Sequence, residues 1–255
     1  MADKTAMNTE DKIIGRNPVL EAIKSGRTID KLLVKKGKLE GSAVAIVKKA
    51  RDAGIVIRET DVRKLDAIAE GGNHQGMIAY VSPYEYKTID FILNSAREKN
   101  EPPFVIICDK ITDPHNLGAI LRTANCVGAH GVVIPKHGSA GLSGAAVKSA
   151  AGAAEYTPVA KVTNLASTIE KLKKEGLWIA AADMDGDDLY SSDLTGALGI
   201  VIGSEGSGVS RLVKEKCDFT VSIPMCGQIN SLNASVAAGV LMYEALHQRK
   251  TKGIN

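Results

Sequence analysis

The 255-residue sequence predicts an α/β protein in two parts. Three observations carry that expectation. Predominantly apolar runs recur through the second half at Phe104–Cys108, Gly131–Ile134, Trp178–Ala182, Leu198–Ile202 and Phe219–Ile223, with helical stretches between them. Strands that do not alternate apolar with polar belong in a parallel sheet covered on both faces. Residues 13–81 carry shorter helix and strand patterns of their own, about seventy residues and enough to fold alone. Between the two lies a segment opening Ser82-Pro83-Tyr84 and closing in a charged run, with Pro102-Pro103 just beyond it. The expected division is a tail over 1–12, a small domain over 13–81, a linker over 82–100 and the main domain over 101–255.

In the first part, Asn17 and Pro18 suit an N-cap and first helical position, and Val19, Leu20 and Ile23 give an apolar face ending at Gly26. Lys31–Val34 reads as a strand, Ser42–Ala53 as a helix closed by Gly54, and Ile55–Ile57 as a strand. Asp61 caps another helix, and Gly76–Val81 is a strand. In the second part, Asn116–Val127 reads as a helix: Leu117, Ile120, Leu121, Ala124 and Val127 fall within about 120° at 100° per residue. A late helix runs on from Leu232, capped by Asn230 or Ser231, and is apolar on most sides through Val236, Ala237, Val240, Leu241, Tyr243 and Leu246. A second subunit is expected to bury part of it.

Composition excludes several classes. No segment approaches the roughly 18–20 apolar residues needed to span a bilayer. The opening residues are polar and of both charge signs, unlike a signal peptide. Cys108, Cys126, Cys217 and Cys226 lack metal or redox spacing, which fits packed thiols in a reducing cytoplasm. The net charge of +3 sits in residues 1–98, while 99–255 are balanced. Ten basic side chains against four acidic ones crowd residues 31–64, so a polyanion would meet the first domain.

Chemistry-bearing residues fall in three stretches. Asp113-Pro114-His115-Asn116-Leu117-Gly118-Ala119 leads to Arg122, which lies opposite the core stripe beside small residues near a helix N-terminus, where phosphate binds well. Asn116 suits a helix cap as readily as a site. Ile200-Val201-Ile202 runs into Gly203-Ser204-Glu205-Gly206-Ser207-Gly208, whose glycines let backbone turn tightly and approach a ligand at a strand's carboxyl end. The third stretch is Ser222-Ile223-Pro224-Met225, a short loop, then Asn230-Ser231-Leu232-Asn233-Ala234-Ser235. Ser231 reads equally as a capping residue. No dinucleotide fingerprint or phosphate-binding P-loop is present.

In order and wording these stretches resemble the three motifs of the SpoU (TrmH-like) family of RNA ribose 2′-O-methyltransferases, and Ile14–Ala22 with His74-Gln75-Gly76 resemble the branch carrying an L30e-like domain ahead of the methylase. The resemblance covers residues 13–249. It implies a C-terminal SPOUT methyltransferase domain tied in a trefoil knot, S-adenosylmethionine as cofactor, a homodimer, and neither metal nor membrane. Gly203, Ile223 and Leu232 match the family's cofactor contacts, and Asn116, Arg122, Glu205, Ser231 and Asn233 its catalytic motif residues. Arg16 and His74 are the implied RNA contacts, although each also reads as an ordinary surface or turn residue. The expected substrate is a guanosine ribose of 23S ribosomal RNA. A tRNA ribose methylase and a non-catalytic ribosome-assembly protein are the alternatives.

Overall fold

In β2 (Ile29–Lys35) successive side chains face opposite sides of a sheet, and Leu32, Leu33 and Val34 are all buried because both sides are covered. Leu32 and Val34 join one core with Val19, Ile46 and Ala50, whereas Leu33 packs on the other side with Leu65 and Ile78. The computed structural model describes residues 12–81 and 84–253. The expected tail therefore lies outside the described residues apart from Lys12, as do residues 82 and 83 of the expected linker.

The described chain divides into two units, residues 12–81 and 84–85 with Leu142–Gly144, and Tyr86–Gly141 with residues 145–253. The first holds a four-stranded sheet in the order β1 (Lys12–Ile14), β4 (Met77–Val81), β2, β3 (Val56–Thr60). Only the β2–β3 pair is parallel. Helices α1 (Arg16–Lys24) and α2 (Ser42–Asp52) bury one face of this sheet, and α3 (Val62–Ala69) covers the other. The expected cap of α1 shifts: Gly15, at φ +97°, precedes the helix, and Asn17 lies inside it.

The second unit is a six-stranded, wholly parallel sheet in the order β10 (Phe219–Ser222), β8 (Trp178–Asp188), β9 (Leu198–Ile202), β5 (Phe104–Cys108), β6 (Gly131–Pro135), β7 (Val159–Val162). Its central strands β5, β6 and β9 are buried along their whole length, as unalternating sequence requires. Val105, Ile107, Ile179, Ala181 and Val201 meet α4 (Ile89–Glu98), α7 (Leu165–Lys174) and α8 (Arg211–Lys214) on one face. On the other, α5 (Pro114–Cys126) packs on β6 and α9 (Ala234–Thr251) on β9, with α5 and α9 in mutual contact.

Several elements differ from expectation. The supposed linker contains α4, because Ile89, Ile92, Leu93 and Ala96 form a buried stripe that outweighs the charged end. Thr88 caps it, its hydroxyl accepting from the Phe91 amide at 3.1 Å. Strand β7 was not anticipated, and β8 continues past Ala182 to Asp188. Helix α9 is capped by Asn233, three residues beyond Asn230, and its Val236 and Tyr243 face outward. At the opposite end of α9 the buried Arg249 donates to the carbonyls of Pro102, Pro103 and Gly196 and lies over the Phe104 ring at 4.8 Å. The helix is thereby fastened to the entrances of β5 and β9.

Candidate active site

The strand order reverses between β9 and β5: the chain moves outward from β5 through β6 to β7, then returns to β8 and β9 on the other side. In parallel sheets such a point leaves a crevice at the carboxyl ends of the two strands. All three chemistry-bearing stretches open at carboxyl ends of strands, after β5, β9 and β10.

The loop after β5 is anchored by Asp109, a buried residue the sequence reading passed over. Its amide donates to the Ile202 carbonyl at 2.8 Å, and its carboxylate accepts from the Ser210 amide at 2.7 Å. One residue thus ties the end of β5 to both ends of the loop after β9. The signal was present, a carboxylate directly after five apolar residues, but a lone Asp there matched no motif. Helix α5 then starts with Asp113 as cap, accepting from the His115 amide at 2.8 Å, and Pro114 in its first turn. Asn116 is therefore not the cap. It lies inside the first turn, 8% exposed, with its amide turned to the site.

The loop after β9 folds back on itself. Ser204 and Gly208 exchange two backbone hydrogen bonds at 3.1 and 2.9 Å. Gly203 lies so close beneath the returning chain that a Cβ there would stand 2.0 Å from the Gly208 carbonyl carbon. The glycine is thus required by the loop's own backbone, independently of any ligand.

Glu205, on this loop, joins the three stretches. Its carboxylate accepts from the Asn116 side-chain amide at 2.9 Å and from the Asn233 side-chain amide, with the Ala234 amide at 3.5 Å. Asn233 also donates to the Asn116 carbonyl oxygen at 3.0 Å, while its own carbonyl oxygen caps α9 by accepting from the Ser235 and Val236 amides. Cap and network use different atoms of one side chain, which fixes its rotamer twice over.

The remaining motif residues lie apart from this network. Arg122 is exposed and makes no hydrogen bond or ion pair among the described residues. The small neighbour Gly118 is not left open for a ligand. A Cβ there would lie 2.3 Å from the Ala146 carbonyl oxygen of α6 (Gly144–Ala150), so close helix packing explains it. Ile223 is half-buried at the start of the loop after β10, and Ser231 and Leu232 are exposed near its end. Residues 224–232 are exposed and make no backbone–backbone hydrogen bond among the described residues, so their donors and acceptors are open to solvent. Cys108, the last residue of β5, is no nucleophile: burial, then the Asp109 charge, push its thiol up to about 12. Among the described residues no cluster of His, Cys, Asp or Glu could hold a metal ion, and no helix is long and apolar enough to cross a membrane.

In the first unit, Arg16 and His74 flank one loop. The Arg16 Nε donates to the Gln75 carbonyl at 3.0 Å, and its backbone amide donates to the Gln75 side chain at 3.2 Å. The His74 Nδ1 accepts from the Gly76 amide at 2.9 Å, which leaves Nε2–H to donate to Asp66 at 2.9 Å. Both ring nitrogens are engaged within the protein.

Comparison with known proteins follows the same division. A family model described as the SpoU rRNA Methylase family matches residues 103–243, and one described as RNA 2′-O ribose methyltransferase substrate binding matches residues 12–87. YacO of Bacillus subtilis, assigned to the TrmH family of tRNA/rRNA methyltransferases, is 47% identical over 244 residues, 95% of this chain and 98% of that protein. A Staphylococcus saprophyticus relative assigned to the same family is 46% identical, over 94% of this chain and 97% of its own. The SpoU methyltransferase AviRb from Streptomyces viridochromogenes, solved with the cofactor AdoMet, superposes with a TM-score of 0.60 at 25% identity, covering 98% of this chain and 95% of its own. The TrmH/SpoU tRNA modifying enzyme of A. aeolicus covers 63% of this chain and 84% of its own, at 30% identity and a TM-score of 0.54.

Proposed function

The chain belongs to the SpoU rRNA Methylase family, and from that membership we propose that it transfers the methyl group of S-adenosylmethionine to the ribose 2′-hydroxyl of a guanosine in 23S ribosomal RNA. The observation that carries this reading is the Asn116–Glu205–Asn233 network, which draws three distant stretches together at the crevice where an α/β sheet holds its ligand.

The cofactor fits what the loops offer. The unpaired backbone groups of residues 224–232, with Ile223 and Leu232 at either end and the tight turn at Gly203, suit a ligand with a polar tail and a flat base. When bound, S-adenosylmethionine supplies a methyl already activated on a sulfonium. The transfer breaks an S–C bond, forms an O–C bond and releases the hydroxyl proton. The protein's task is therefore to align ribose and methyl and to exclude water. A guanidinium is a poor general base. In our reading Arg122 grips the phosphate beside the reacting ribose, its planar fork turned by α5 toward the substrate, while Glu205 fixes the loops with Asn116 and Asn233. Ser231 lines the ribose pocket.

Three further features complete the proposal. The N-terminal unit is the L30e-like module that receives RNA, in keeping with its concentration of basic residues. The segment after β10 is the one we propose passes through the trefoil knot. The outward Val236 and Tyr243 of α9, 50% and 53% exposed, form the apolar face on which a second copy would dock.

The test is direct. Full-length protein is incubated with labelled S-adenosylmethionine and, separately, unmodified large-subunit rRNA and tRNA, and the modified ribose is mapped. A single 2′-O-methylguanosine in the rRNA is the expected result. Label in tRNA alone would overturn the substrate, and label in neither, in free RNA or in assembling particles, would overturn the reaction.

A further inference from the structure

The first unit contains an open cavity of about 680 Å³ lined by Arg16, Asn17, Lys35, Ser42, Val62, His74, Gln75 and Gly76. Two cations and no carboxylate line it. The nearby acids are engaged elsewhere, Asp66 by His74 and Asp61 by Lys36 at 3.4 Å. Lys35 lays its aliphatic stem along Gly76, where a Cβ would stand 3.1 Å from it, and its ammonium has no partner among the described residues. Arg16 is held in a fixed plane by the Gln75 carbonyl at 3.0 Å and the Ser42 hydroxyl at 3.5 Å, which leaves Nη2 unengaged.

The backbone adds to this charge. Arg16, Ser42 and Val62 each open a helix; the first amide of α1 already donates to the Gln75 side chain, while the ends of α2 and α3 receive no side-chain cap bond. The uncapped ends of α2 and α3 therefore border the same space as two side-chain cations. The guanidinium is held in place by residues 74–76, where Gln75 is forced to φ +49° and Gly76 to φ +81°. His74 holds that turn, spending one ring nitrogen on Gly76 and the other on Asp66.

We propose that this cavity binds a phosphodiester of the RNA substrate, with Arg16 and Lys35 as direct contacts and His74 as a positioning residue. This rests on the methyltransferase reading for the identity of the polyanion, and it departs from the expectation that His74 itself touches RNA. The size of the cavity admits a whole ribose-phosphate unit, so the site grips the strand by its backbone and contributes affinity.

The experiment measures affinity of the full chain for an rRNA fragment by fluorescence anisotropy across a salt series, with Arg16→Ala, Lys35→Ala and His74→Ala variants whose melting confirms that they fold. Arg16→Ala and Lys35→Ala are expected to weaken binding at least fivefold, and each to lower the salt slope by roughly 0.7–0.9, one phosphate's worth of released counterion. His74→Ala is expected to weaken binding while leaving the slope unchanged, since no phosphate contact is removed. Amide resonances of residues 15–17, 42–43, 62 and 75–76 should move with the RNA fragment and hardly at all with inorganic phosphate. Affinities within twofold of wild type and unchanged slopes in both cation variants would overturn the site. A larger response to inorganic phosphate than to RNA would overturn the assignment to a strand. Binding is read apart from methyl transfer, so a chain that methylates no RNA would defeat the reaction while leaving this result decisive.

Discussion

Replacing Glu205 tests whether one carboxylate holds the site together. In Glu205→Ala both side-chain amide bonds, from Asn116 and Asn233, are lost. The long contact to Ala234, at 3.5 Å, contributes little. A hydrogen bond to a charged group contributes about 1.5–3 kcal/mol and a neutral one about 0.5–1.5, while a buried donor left unpaired costs about 1–3 kcal/mol. Glu205 is itself exposed, so screening leaves the lost Asn233 bond about 0.5–1 kcal/mol, and the loss at buried Asn116 is counted once, as an orphaned donor at about 2 kcal/mol. The alanine variant should then lose about 2–3 kcal/mol of local stability, and Glu205→Gln, which keeps one acceptor, about 1 kcal/mol. At about 1.4 kcal/mol per decade these are roughly 30- to 150-fold and fivefold. Native-state hydrogen exchange reads them directly at the Ser204, Gly208, Ser235 and Val236 amides, which the β9 loop and the α9 cap protect. Exchange within twofold of wild type in the alanine variant would refute the argument, because the loops would then be held without Glu205.

The other predictions follow from single contacts. Arg122→Lys keeps the charge and loses the planar fork, so methyl transfer should fall at least tenfold in single-turnover assays; a retained rate at unchanged RNA affinity would remove the need for the fork. Gly203→Ala places a Cβ against backbone at 2.0 Å and should cost about 1–3 kcal/mol, read as a lower urea midpoint together with weakened S-adenosylmethionine binding by calorimetry. Arg249→Met leaves the Pro102 and Gly196 carbonyls without their donor, while Pro103 keeps the Leu198 amide, and at about 1 kcal/mol each it should cost roughly 2 kcal/mol in urea unfolding. Burial lowers the His130 pKa below 6.5, with Glu101 pulling the other way. The unfolded chain then binds the proton more readily, so stability is full above 6.5 and declines as pH falls through that value until the folded form protonates too. Urea midpoints at about pH 7.5 and pH 5.5 should show that decline, and His130→Gln should flatten it.

What the sequence revealed depended on whether a residue's partner was local. Phe104–Cys108 and Leu198–Ile202 match strands β5 and β9 residue for residue, because a five-residue run without a polar side chain, rich in β-branched residues, suits a central parallel strand. The core stripe of α5 was equally legible, with Leu117, Ile120, Leu121 and Ala124 all fully buried. Strand β7 escaped because Val159-Ala160-Lys161-Val162 is short, mixed and only half buried. Helix α4 was hidden by its charged last turn, which drew attention from the stripe beneath. At the site, the resemblance supplied Asn116, Glu205 and Asn233, which no local pattern joins. They lie 89 and 117 residues apart in sequence, and only the fold makes them neighbours. Asp109 was missed for the same reason, since its partner Ser210 is 101 residues away.

Helix α9 is fastened at both ends, by Asn233 beside Glu205 and by Arg249 at the entrances of β5 and β9. The partners of both residues are made long before it, up to 147 residues earlier. During synthesis the nascent chain can assemble most of its sheet while the crevice after β5 and β9 still lacks one wall. Docking of α9 then acts as a completion step: a polypeptide stalled or clipped before Asn233 would retain much of its hydrophobic core yet expose an unclosed site. Chains interrupted during translation would therefore be kept from modifying RNA by their own topology.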